Sequence, residues 1–206
     1  MAGMARYPDK FFDLAVVDPE FGIDIANSPR LVTDKGLVGK NWDKLPPRKE
    51  YFNEMFRVSK SQIVWGGNYF DMPPTRHPII WDKCQPEDFS FGMFDFAWTS
   101  FEMPAKIFRY RVQAEKNKIH PTQKPIALYK WLLQNYAKPG DKILDTHLGS
   151  GSSRIAAYDM GFDFYGWELD SDYFSAMQKR FDAHASRPAL FAPEQMYNFE
   201  QVKLFE

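Results

Sequence analysis

Two carboxylates and a pair of glycines carry the first readable chemistry in this 206-residue chain. Leu144-Asp145-Thr146-His147-Leu148-Gly149-Ser150-Gly151-Ser152 ends a short apolar run in an acid, turns on two glycines and opens a helical stretch. Phe164-Tyr165-Gly166-Trp167-Glu168 follows as a second strand that also ends in an acid. The glycines let the backbone turn tightly and approach a ligand. A carboxylate at Asp145 can hold an ammonium, and one at Glu168 the two hydroxyls of a ribose. The pattern is half of a nucleotide-binding fold.

S-adenosylmethionine carries both of those groups and no phosphate. Two further segments sharpen the reading. Asp18-Pro19-Glu20-Phe21 closes an apolar run over Asp13 to Val17, and His120-Pro121-Thr122-Gln123-Lys124-Pro125 opens a helical stretch ahead of Asp145.

With the order acid-Pro-x-aromatic, HPTQKP and then the DxxxGSG turn, the chain resembles the amino-methylating DNA methyltransferases of the beta arrangement. The resemblance runs from Phe12 to about Phe181 and includes Trp65-Gly66-Gly67-Asn68-Tyr69-Phe70 and Ile79-Ile80-Trp81-Asp82-Lys83, segments seen in many phage and prophage relatives. It implies an α/β, Rossmann-like S-adenosylmethionine-dependent fold, mainly a parallel sheet with helices on both faces. It also implies a circular permutation that sets the catalytic half before the cofactor half. One domain, 1–206, then divides into a catalytic half (about 11–71), a small target-recognition region (about 72–117) and a cofactor half (about 118–206).

The resemblance implies roles for residues as well. Methyl transfer to an aromatic amine is difficult because the nitrogen lone pair is delocalised into the ring. Fixed acceptors for the amino hydrogens favour a more tetrahedral nitrogen, and Asp18 and the main-chain carbonyl of Pro19 supply them while Phe21 stacks on the base. The base must leave the duplex to reach them. Positioning and electrostatics carry this chemistry, with no covalent enzyme intermediate and no metal. Cofactor contacts are expected from Asp18, His120, Thr122, Lys124, Pro125, Asp145, His147, Gly149, Ser150, Gly151, Ser152, Glu168 and Leu169.

The chain departs from the family pattern in two places. Glu20 stands where a second proline is usual, and Thr146-His147 where relatives often have Pro-Phe. Glu20 keeps both acceptors but loses proline's rigidity, and leaves Pro19 freer in ψ. The site is therefore either active, or damaged or reassigned. His147 reads as a packed or partly exposed turn residue ahead of any proton-transfer role, and Asp170 as the cap of a helix beginning near Asp172.

Composition bounds the rest. A chain of this length buries roughly 70% of its unfolded surface as one domain. The net charge of −1 hides an uneven distribution: Phe101 to Lys130 carries seven Lys/Arg against two acids, and Asp141 to Glu206 six against eleven. A basic middle suits a polyanion, here double-stranded DNA, although a solvated charged face gives the same pattern. Arg30, Lys35 and Lys40 in the Gly22–Pro47 connection, with Arg76, Lys106, Arg109 and Arg111 further on, are the candidate phosphate contacts. The aromatics among the latter read mainly as core, with Phe94, Phe96 and Trp98 alternating as a buried strand. So short a recognition region predicts a short target, modest specificity or help from a second subunit, and the resemblance, whose members are often dimers, implies a homodimer. The single Cys84 excludes an internal disulfide and is expected to serve packing. No apolar run reaches the ~18 residues of a membrane span, which points to the cytoplasm.

Strands are predicted over 14–17, 62–65, 78–81, 94–98, 143–144, 163–167 and 202–205, and helices over 48–58, 125–136, 152–160 and 172–186. Asp at the head of the catalytic motif resembles the adenine N6 enzymes, which implies adenine N6 as the acceptor, with cytosine N4 as the near alternative. A cofactor-binding relative without catalysis, and an RNA or protein acceptor, also stay open. A nicotinamide enzyme would share the glycine turn but leaves DPEF and HPTQKP without a purpose.

Overall fold

The computed structural model describes residues 1–25, 43–86, 92–111 and 118–187. Seven strands form one sheet: β1 (Phe12–Val17), β2 (Ser59–Trp65), β3 (Ile79–Asp82), β4 (Phe94–Thr99), β5 (Lys106–Arg109), β6 (Lys142–Asp145) and β7 (Asp163–Gly166). Among the described residues four α-helices accompany them: α1 (Lys49–Val58), α2 (Ile126–Tyr136), α3 (Ser152–Asp159) and α4 (Ser171–Ala185). The sheet order is β5-β3-β4-β2-β1-β6-β7, and β4 alone runs antiparallel to its neighbours.

The central strands are nearly continuous apolar runs because both of their faces are covered. Leu14 and Val16 of β1, with Ile63 and Trp65 of β2, pack on Leu128 and Leu132 of α2 and Ala156 of α3. The intervening Ala15, Val17 and Val64 face Phe52, Met55 and Val58 of α1 and Met4 of the N-terminal turn. That alternation is the period of two that a strand imposes. Burying Leu128, Leu132 and Ile63 completely stabilises the fold by about 1.5–3 kcal/mol each.

Helix ends follow the expected chemistry. Pro125 takes the cap position ahead of α2, where its missing N–H costs nothing. Asp170 caps α4 through its carboxylate, which accepts from the N–H groups of Asp172 and Tyr173.

Two expectations need correction, and one strand was not expected. Lys106 to Arg109 form an edge strand, which a run of four residues reading polar, apolar, apolar, polar is too short and too irregular to announce. Phe94 is 57% exposed, because it opens β4 at the end of its ladder with Asp82. Cys84 is exposed in a turn with φ +49° and packs into no core. The strand predicted over 202–205 lies outside the described residues, as do Arg30, Lys35 and Lys40. Among the described residues no helix is long and apolar enough to cross a membrane.

Candidate active site

β1 and β6 are adjacent and parallel, with Leu14 opposite Ile143 and Ala15 opposite Leu144. From β1 the chain passes through α1 to β2 on one side, and from β6 through α3 to β7 on the other. Connections leaving in opposite directions open a crevice at the carboxyl ends of the two strands, where open α/β sheets bind ligands. Asp18 follows β1 directly and Asp145 ends β6, so both acids lie at that crevice.

The glycine turn is tied to its own acids. Asp145 Oδ1 accepts the His147 N–H at 3.0 Å, and Oδ2 accepts the Ser153 hydroxyl at 2.6 Å. Glu168 Oε2 accepts the Gly149 N–H at 2.8 Å and Oε1 the Asp170 N–H at 2.9 Å. Arg180 of α4 donates to the Ser150 carbonyl and to Ser152 Oγ, at 2.7 and 2.9 Å. Gly151, at φ +71°, has no room for a side chain: a Cβ there would stand 2.3 Å from Met177 Cγ. His120 lies against the turn, its ring beside Gly149 and edge-on to Tyr173. Burial pushes the Asp145 carboxyl up to about 6, against the opposing hydrogen bonds from Ser153 and His147.

At Asp18 the partner is a cation. Lys124 Nζ lies 2.5 Å from Asp18 Oδ2, and Lys124 is buried, 5.3 Å from the Trp65 ring centre. The HPTQKP segment thus delivers its lysine to Asp18. Burial raises the Asp18 pKa, and the Lys124 ammonium limits the rise. Phe21 stacks on Tyr69 with ring centres 4.8 Å apart and planes 10° apart. Gly66 is required beneath it, since a Cβ at that position would meet the Phe21 ring at 2.1 Å.

Glu20 turns toward the glycine turn that follows β6. Its Oε2 is 3.3 Å from His147 Nε2. His147 Nδ1 is 2.9 Å from Thr146 Oγ1, which shares a 2.6 Å hydrogen bond with the Tyr51 hydroxyl of α1. Glu20, Tyr51, His147 and the 96%-exposed Leu169 line one cleft of about 530 Å³. Among the described residues no group of three or more His, Cys, Asp or Glu side chains is arranged for a metal ion.

The candidate phosphate contacts divide between the two edges of the sheet. β5 and β3 run in the same direction as β2, so Arg109 and Arg111 lie toward the edge that carries Asp18, whereas Arg76 and Lys106 lie toward the opposite edge. Lys106 Nζ donates to Asn135 near the end of α2. Tyr51, Ser153 and Arg180 escape sequence reasoning: their spacing reads only as helix faces, and their partners are set by the fold.

Donors and acceptors fit S-adenosylmethionine. Carboxylates suited to an ammonium and a ribose flank the turn, and Gln123 Nε2, buried without a hydrogen-bond partner among the described residues, is a donor left over in HPTQKP. Comparison with known proteins agrees. The chain belongs to the DNA methylase family of N6 and N4 enzymes, which matches residues 40–179 and so begins beyond Asp18. YubD of Escherichia coli K12, named as a methylase, is 37% identical over 205 residues, covering 87% of this chain and 86% of that protein. The type II methyltransferase M2.DpnII of Streptococcus pneumoniae is 28% identical over 149 residues, 72% of this chain; the chain spans about half (52%) of that relative's length. The fold is that of the PvuII cytosine-N4-specific DNA methyltransferase, at a TM-score of 0.60 and 12% identity, covering 94% of this chain and 86% of that one. Two other structures of similar fold are complexes with S-adenosylmethionine, the methyl donor of the family.

Proposed function

We propose that this chain is an S-adenosylmethionine-dependent DNA methyltransferase acting on the N6 amino group of adenine in a flipped-out base. The observation that carries the reading is the arrangement of Asp18 and the Asp145–Gly151 turn at one crevice, on adjacent parallel strands. The cofactor, when bound, supplies an electrophilic methyl group on a sulfonium.

Asp145 and Glu168 take its ammonium and ribose, and Leu169 offers apolar cover beside that acid. His120, Thr122, Pro125, Gly149, Ser150, Gly151 and Ser152 shape the wall. Lys124 occupies Asp18 Oδ2 and leaves Oδ1 to accept one amino hydrogen; the Pro19 carbonyl accepts the other. Burial makes the Asp18 carboxylate a better proton acceptor than an exposed one, so it can take the proton that the nitrogen sheds as its new bond forms. Phe21 offers its face to the base once Tyr69 yields.

The catalytic half precedes the cofactor half in this reading, as a permuted form of the fold. Double-stranded DNA is the partner, a homodimer is the working form, and the cytoplasm is the compartment. Arg109 and Arg111 are better placed for phosphate than Arg76 and Lys106.

Cytosine N4 presents the same kind of amino group to the same acceptors. The test is methyl transfer to unmethylated genomic DNA with mass analysis of the nucleosides. N6-methyladenine supports the reading, N4-methylcytosine replaces the base but keeps the chemistry, and cofactor binding with no methylated nucleoside overturns it.

A further inference from the structure

Glu20 and His147 are the chain's departures from the two family motifs, and the fold joins them in one ion pair. Their facing atoms are 3.3 Å apart, with only 27% and 20% of the two side chains exposed. Glu20 belongs to the segment after β1 and His147 to the turn after β6, so the pair spans the crevice. His147 is braced from behind by Thr146 Oγ1 and by the Tyr51 ring, edge-on at 5.3 Å between centres.

A second proline at position 20 would restrict both its own φ and the ψ of Pro19. Glutamate does neither by itself. A charged bond to the opposite lip restrains the same segment by another route. We propose that the Glu20–His147 pair is a latch that positions the Asp18-Pro19 acceptors against the cofactor turn, and that methyl transfer depends on the positive charge of His147. Both are positioning residues, acting through Pro19 and through the turn. The latch rests on the methyltransferase reading for its kinetic readout alone.

The surrounding charges agree with a charged pair. Facing the imidazole are Glu20 and Asp18 from the β1 end, Asp145 from β6 and the Tyr51 hydroxyl from α1; Arg48 and Glu50, at the start of α1, line the same cleft. Burial works to lower the His147 pKa, but the Glu20 hydrogen bond and the acidic charges raise it above the usual 6.5. Burial works to raise Glu20, and the His147 contact brings it below the usual carboxylate value. Each partner stays charged between those two titrations. The latch therefore opens as pH rises through the His147 pKa.

The experiment pairs histidine ring-proton NMR titration with kcat and KM against pH. In the wild-type protein His147 titrates above the usual value, and kcat falls along an alkaline limb at that pKa while KM for the cofactor moves little. Glu20→Gln lowers the His147 pKa by about one unit or more and kcat by roughly tenfold. Combining Glu20→Pro with His147→Phe, which puts the family's usual residue at each end of the pair, recovers most of kcat and removes the alkaline limb. A His147 titration unmoved by Glu20→Gln overturns the latch, as does a His147→Phe protein with wild-type kcat and pH profile. Absence of transfer by the wild-type protein overturns the methyltransferase reading instead, and the NMR titration still decides whether the charged pair exists.

Discussion

Lys124 and Asp18, 106 residues apart in sequence, meet at 2.5 Å with side chains 5% and 17% exposed. A carboxylate so enclosed stays ionised only while a cation accompanies it. HPTQKP thus holds the charge state of the proposed catalytic acid, in addition to walling the crevice.

Removing that cation has a defined sign. Lys124→Met takes away the interaction that opposes burial, so the Asp18 pKa rises further. The acid limb of the kcat/KM profile moves to higher pH by about 1–3 units. Stability measured in denaturant at neutral pH falls by about 3–5 kcal/mol, less if Asp18 takes up a proton. An unmoved acid limb contradicts the role given to Lys124.

The proposed role of Asp145 in holding the cofactor's ammonium predicts an affinity that depends on pH. Its carboxyl is pushed up to about 6 by burial, and a cationic ligand favours the ionised form. S-adenosylmethionine affinity measured by calorimetry is expected to fall as pH drops through about 6. Ser153→Ala removes a hydrogen bond that opposes the rise and shifts that fall to higher pH. The stability sign is opposite: a raised carboxyl pKa stabilises the fold below its unfolded value, and this contribution is lost as pH rises through about 6. Asp145→Asn should therefore raise Tm at neutral pH while weakening cofactor binding, a difference of order 1–3 kcal/mol in stability.

Two glycine substitutions separate the halves of the site. Gly66→Ala drives a methyl group into the Phe21 ring, and Gly151→Ala drives one into Met177. Both positions have positive φ, at 68° and 71°, so each substitution costs about 1–3 kcal/mol. Gly66→Ala is expected to depress methyl transfer with cofactor affinity kept, and Gly151→Ala to depress cofactor affinity itself. Equal losses of affinity in both would contradict the separation.

The sheet edges predict which cations meet DNA. Arg109→Ala and Arg111→Ala should each weaken DNA binding and reduce the slope of log K against log salt by about 1. Arg76→Ala and Lys106→Ala, toward the opposite edge, should leave both unchanged. Equal effects at all four positions would place the duplex elsewhere.

The local parts of the site were legible in the sequence. An apolar run ending in Asp145, with glycines four and six residues on, forces a strand, a turn and a helix. Asp18 likewise ends the apolar run of β1, and Asp170 caps α4 as its spacing requires. What sequence spacing does not carry is pairing across the fold. The Lys124–Asp18 and Glu20–His147 contacts depend on β1 lying beside β6, and the Tyr51–Thr146 bond on α1 covering that junction. β5 escaped notice because Lys106-Ile107-Phe108-Arg109 mixes the charges of a surface with the apolar residues of a strand, and sheet direction alone sorts its cations by edge.

The most direct test of the account measures methyl transfer and cofactor binding together in the wild-type protein and in Asp18→Ala. The expected result is methylated nucleoside from the wild type, a loss of at least roughly a hundredfold in Asp18→Ala, and S-adenosylmethionine affinity retained within about tenfold. Transfer that survives in Asp18→Ala, or affinity lost in parallel with transfer, would contradict Asp18 as the group that holds the target amine.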